Sequence, residues 1–189
     1  MKYFFFFLLC MVSLPALSQA VVSVKWLQYE PAAGSDTVYY APEKKITWAD
    51  FKGTPEPGSD ATAITSSGFG YMAGIKYKDG KVNISITVYC YFSRHGSWVI
   101  KGKETAYALN HEQHHFDVSY IVANLFVQKL KTAKFTWDNY NELLDKFYND
   151  SRQQLKDMQN EYDGQTKNGR LPAVQEKWNA KIDKQLAQL

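Results

Sequence analysis

Residues 108–120 read ALNHEQHHFDVSY, and three of the chain's four histidines fall within five positions of that stretch. His111, Glu112 and His115 give the spacing H-E-x-x-H. On an α-helix, residues four apart project from one face, so two imidazoles at this spacing can bind one ion. A glutamate beside the first imidazole can reach a water on that ion and serve as general base. Two imidazoles, one further ligand and an open position suit Zn²⁺, which acidifies water and polarises a carbonyl. The chemistry predicted is metal-assisted hydrolysis, with His111 and His115 as ligands and Glu112 as base. The plain alternative for the same spacing is a His-rich polar face on a solvated helix. His114 projects elsewhere on such a helix and reads as a surface residue, and His95, in SRHGS, reads as a turn residue. Asp117 projects away from the metal face and reads as a fixer of local structure.

The spacing has this meaning only on a helix, and the sequence supplies one. From Lys103 to about Lys131 there is no Gly or Pro, and Leu109, Phe116, Ile121, Leu125 and Leu130 mark an apolar stripe. TAKFTWDNY interrupts it, with Thr136 as candidate N-cap of a second helix over about 137–162. DGQTKNGRLP reads as a loop, and Pro172 can open a last helix through about Leu186. Upstream, short strands are expected at 22–28 and 36–40, and ITWADF (46–51) buries Trp48 and Phe51. The stretches AITSSGFGYMAGIKY and KVNISITVYCYF flank KDGK, whose Asp-Gly pair signals a hairpin. Val82, Ile84, Ile86, Val88 and Cys90 alternate with polar or Tyr residues, so one face of that strand is buried. SWVI (97–100) reads as one more short strand. Strands first and helices after predict an α+β fold, an antiparallel sheet followed by a helical half that carries the histidines.

The 189 residues, 45% hydrophobic and 22% charged, suffice for one compact domain over residues 21–189. A net charge of +3 without a Lys/Arg cluster gives no case for nucleic acid. MKYFFFFLLCMVSLPALSQA has the layout of a secretory signal peptide over residues 1–20, with small residues suited to cleavage after Ser18 or Ala20. Its apolar run is too short for a comfortable membrane span, so the expected protein is exported, periplasmic or extracellular, with no stable span once the leader is gone. Cys90 is then the only cysteine, which predicts a buried free thiol and no internal disulfide.

From about residue 44 to 183 the chain resembles the predicted secreted zinc-dependent proteases catalogued as a domain of unknown function. The resemblance rests on ITWADFKGTP, on SWV shortly before the helix, on HEQHHFD, and on EYDGQTKNG followed by VQEKWNAKI. W-x-D-F-x-G and H-E-Q-x-H-F-D are its specific parts. It implies a zincin-like metallopeptidase with Zn²⁺ at His111 and His115 and a peptide or protein substrate. One position departs: the family loop usually carries a His immediately before the Gly, and here that residue is Asn168. If the second helix returns antiparallel from about residue 137, the histidines lie opposite about 153–157. Glu142 then falls roughly 20 Å from the site along the bundle and is excluded as third ligand. Asp157, Glu161, Asp163 and Asn168 stay open, and the family-like YD of the loop favours Asp163. The strand nearest the helix, around 86–93 or 97–100, is expected to accept an extended peptide as an added strand. Asn168 also motivates an alternative, a catalytically impaired exported metal- or peptide-binding domain of the same fold.

Overall fold

The computed structural model describes residues 20–28, 31–32, 34–78 and 81–189. The expected leader lies outside these residues except for Ala20, and so does the Asp79-Gly80 turn. Within them the chain forms a mixed sheet and then three helices, an α+β arrangement.

Strand β5 (Lys81–Ser93) is the hub of the sheet. Its even-numbered residues from Val82 to Phe92 are all buried, while its odd-numbered ones face outward. Strand β4 (Ser67–Lys78) pairs antiparallel along nearly all of β5 and forms the outer edge on that side. On the other side β1 (Val21–Trp26) runs parallel to 83–88, and β2 (Thr37–Tyr39) runs antiparallel to 91–93. The expectation of a purely antiparallel sheet therefore fails at β1. Side-chain alternation has period two in both directions, so the sequence pattern carried no information on strand direction. A separate two-residue pairing joins β3 (Ala63–Ile64) to β6 (Trp98–Val99).

Helix α1 (Ala106–Thr132) begins at Thr105, whose hydroxyl accepts a hydrogen bond from the Ala108 N–H (3.0 Å). It lies on the inner face of the sheet, where Phe116, Val122, Ala123, Phe126, Val127 and Leu130 join the core. Leu125, expected in the stripe, is 37% exposed. Helix α2 (Tyr140–Thr166) returns antiparallel along α1, and α3 (Pro172–Leu186) packs against both. A second apolar cluster of Val118, Ile121, Tyr162, Trp178 and Ile182 holds the three helices together. α2 starts later than expected because Thr136 and Asn139 exchange hydrogen bonds in a turn ahead of it, so the cap is Asn139.

The W-x-D-F-x-G stretch ties the start of α1 to the strands. Trp48 Nε1 donates to Thr105 O (3.2 Å), Phe51 enters the core, and Arg94 donates to Asp50. The Gly53 N–H donates to Ser97 O (2.7 Å), and a Cβ at Gly53 would sit 2.6 Å from His95 O. Only glycine fits that approach. Cys90 is buried and free, as expected. Among the described residues no helix is long and apolar enough to cross a membrane.

Candidate metal centre

His111 and His115 project from one face of α1 as their spacing requires, toward the last turn of α2. There Asp163 Oδ1 lies 3.1 Å from His111 Nε2 and 3.0 Å from His115 Nε2, and the two Nε2 atoms are 3.1 Å apart. Among the described residues this is the group of His, Cys, Asp or Glu side chains that could hold a metal ion.

Two glutamines set the tautomers. The Gln159 amide nitrogen donates to His115 O (2.9 Å), so its carbonyl oxygen faces His115 Nδ1 and takes that proton. The Gln175 amide nitrogen donates to Asn179 Oδ1 (2.6 Å) and to the Tyr162 hydroxyl, so its oxygen faces His111 Nδ1 at 2.8 Å. With both Nδ1 atoms protonated, each neutral ring turns the Nε2 lone pair toward Asp163. Three acceptors at about 3 Å, one of them anionic, repel unless a cation or a proton sits among them. Donors about 2.0–2.1 Å from a tetrahedral ion are about 3.3 Å apart, close to the spacing found. The donor set, two imidazoles and a carboxylate with glutamines behind the imidazoles, fits a divalent transition metal.

Without a metal ion, a proton on Nε2 supplies the positive charge this triangle needs. Burial alone would raise the Asp163 carboxyl, but hydrogen bonds and charge from His111 and His115 outweigh it and hold it well below the usual carboxylate range. Burial likewise would lower His115, yet the bond to Asp163 and the nearby Glu112 and Asp163 charges push it up. The Tyr162 ring stacks on His111, centroids 4.6 Å apart, and its hydroxyl donates to His111 O (3.4 Å).

Glu112 is 5% exposed, and its Oε2 has no hydrogen-bond partner. It lines a cleft of about 220 Å³ together with His111, His115, Asp163, Asn168 and the segment 61–67. With no protein partner, this oxygen is free to bond to water or a ligand in the cleft. At one end the cleft continues into a smaller recess of about 130 Å³ beside Tyr107 and Arg170. At the other it adjoins a groove of about 530 Å³ along α2.

Asp163 lies beside both imidazoles, but in the last turn of α2 and not in a loop as expected, since the helix runs on to Thr166. The register differs from the helix count, with His111 facing Asp163 and His115 facing Gln159 rather than 153–157, because the 133–139 loop delays α2 to Tyr140. Asp157 and Glu161 are exposed and bonded to Gln153 and Gln165, away from the centre. Asn168 lines the cleft in a left-handed conformation (φ 53°), and its N–H donates to Asp163 O (2.9 Å). Since Asp163 provides a third donor, Asn168 does not leave the centre short of one. Glu142 sits in the first turn of α2, twenty-one residues from Asp163 and so about 30 Å along the helix. Asp117 points the other way, accepting from Tyr40 Oη (2.6 Å) and Lys45 Nζ (2.8 Å). His95 lies in an exposed turn against Asp36.

Two expectations are corrected. His114 is buried, not on the surface, because α3 covers that face of α1; its Nδ1 donates to Asn110 O (2.7 Å). The strand segment lining the cleft is 61–67, not 86–93 or 97–100: β5 is paired on both sides, and β3 lies between β6 and the cleft. The sequence reading missed Gln159, Gln175 and Tyr162. Gln175 lies in the resemblance-bearing stretch VQEKWNAKI, where it could have been noticed, but nothing in the sequence marks a glutamine as buried.

Compared with family models, curated proteins and solved structures, the chain matches none.

Proposed function

We propose that this protein is an exported zinc-dependent metallopeptidase. The observation that carries the reading is the triangle of His111 Nε2, His115 Nε2 and Asp163 Oδ1, with edges of 3.0–3.1 Å, beside the unpartnered Glu112 Oε2. A zinc ion bound there supplies an electrophile that polarises a scissile carbonyl and acidifies water. Glu112 Oε2, buried and without a partner, accepts a proton from water entering the cleft and returns it to the departing amine. Gln159 and Gln175 hold both imidazoles with Nδ1 protonated and Nε2 free to bind a metal, and Tyr162 stacks on the His111 ring. The substrate backbone lies in the cleft against the segment 61–67, in the manner of an added strand. The resemblance to secreted zinc-dependent proteases and the N-terminal leader pattern support the same reading.

The test is cleavage of a reduced, alkylated, unfolded protein by zinc-loaded chain, with fragments followed by mass spectrometry. Glu112→Gln is expected to keep its zinc and to cut at least about 100-fold more slowly. A wild-type chain that holds zinc and leaves every substrate intact would establish a metal-binding domain without turnover. A chain that takes up no metal would remove the premise.

A further inference from the structure

The groove that leaves the centre along α2 carries a charge the catalytic reading does not use. Arg152, Lys156, Gln159 and Asp163 follow one another at intervals of four, three and four, which places them on one face of the helix. Gln159 and Ser67 line both the cleft at the centre and the 530 Å³ groove beyond it, so the two adjoin. Arg152 and Lys156 line that groove with Tyr91 and Tyr148, and among the described residues no Asp or Glu lines it. The ion pairs among the described residues all lie elsewhere, leaving both cations without a carboxylate. The Arg152 guanidinium rests 5.8 Å over the Tyr148 ring, held toward the groove. Opposite α2, the wall is the outer edge of β4, where Phe69 O accepts from the Tyr148 hydroxyl (3.4 Å). A wall made of strand edge has room for one more extended chain.

We infer that this groove selects peptide substrates with acidic side chains to one side of the scissile bond, held by Lys156 and Arg152. The spacing sets the positions. Along α2, Lys156 is about 10 Å and Arg152 about 16 Å from Asp163, at 1.5 Å per residue. An extended peptide advances about 3.3 Å per residue, so the two cations meet side chains about three and five residues from the reacting carbonyl. The other end of the cleft, only about 130 Å³, gives no comparable run of contacts. This selectivity rests on the peptidase reading for its position relative to the scissile bond, but the charge preference of the groove does not need turnover.

The experiment is fluorescence anisotropy on purified full-length Glu112→Gln chain, with and without zinc. The probes are three labelled twelve-residue peptides, identical except for four central Glu, Gln or Lys. The Glu peptide is expected to bind about tenfold tighter than the Gln peptide at low salt, with the Lys peptide weakest. That preference shrinks as salt rises. Arg152→Glu/Lys156→Glu should abolish it while zinc content and melting temperature stay the same, and Arg152→Gln/Lys156→Gln should reduce it partway. Equal binding of the three peptides, or a preference untouched by charge reversal, overturns the inference. Displacement of the Glu peptide by polyphosphate at equal charge concentration also overturns it, since the groove would then read charge without a peptide. Failure of zinc uptake with the Glu preference intact defeats the peptidase reading and leaves the groove standing.

Discussion

Two imidazoles one helical turn apart can bind a metal only if both aim a lone pair at the same point, and Gln159 and Gln175 enforce this. Each accepts the Nδ1 proton, and each is fixed by its own amide donations. Replacing Gln159 by Leu is expected to weaken zinc binding by about 10–100-fold, as for other groups behind metal-ligating histidines. His111→Ala should abolish stoichiometric zinc, whereas His114→Ala should leave zinc in place and lower the melting temperature, because His114 is packed beneath α3. Competition against a chromophoric chelator measures all three, and equal zinc loss from His111→Ala and His114→Ala would overturn the ligand assignment. His111, Glu112 and His115 were legible in the sequence because a four-residue spacing on a helix has a single geometric meaning. Asp163 was legible only through the neighbouring YD of the resemblance. The glutamines were not legible as partners of the imidazoles: an amide turned toward a ring nitrogen has the same one-letter code as one in solvent.

At the scale of elements, the position of α1 is set by a stretch far from it in sequence. Trp48 bonds to the carbonyl of the residue that caps α1, and Gly53 lets its backbone touch that of Ser97. Gly53→Ala would drive a Cβ to 2.6 Å from His95 O and 2.8 Å from Ser97 O. Backbone atoms cannot step aside as a flexible side chain can, so the substitution is expected to cost about 2 kcal/mol or more in chemical denaturation. An unchanged denaturation midpoint would show that the motif does not brace the helix. Helix periods over α1–α3 and the β4–β5 hairpin could be read from the sequence because burial on one face imposes a period. The parallel pairing of β1, and the six-residue offset between the α1–α2 register expected and found, could not. Both depend on where the chain turns, and a turn leaves no periodic trace.

For the whole molecule, the donors of the centre all lie in the helical half, yet that half does not stand alone. His111, His115, Gln159, Asp163 and Gln175 come from α1, α2 and α3, while the face of α1 bearing Phe116, Val122, Phe126 and Leu130 is covered by the sheet. Without the sheet that apolar face meets water, at a cost of about 25 cal/mol for each Å² exposed. The cluster around Tyr162, Trp178 and Ile182 then remains as the main tie between helices. Isolated helices gain most of their stability from such packing, not from propensity. A fragment of residues 103–189 is therefore expected to keep helical circular dichroism and to lose cooperative urea unfolding. Zinc would have to order the three helices as it binds, so affinity should fall by at least about 100-fold relative to the full chain. Cooperative unfolding of the fragment with full-chain zinc affinity would mean that the helices alone build the centre, and that the strands contribute only the cleft wall at 61–67.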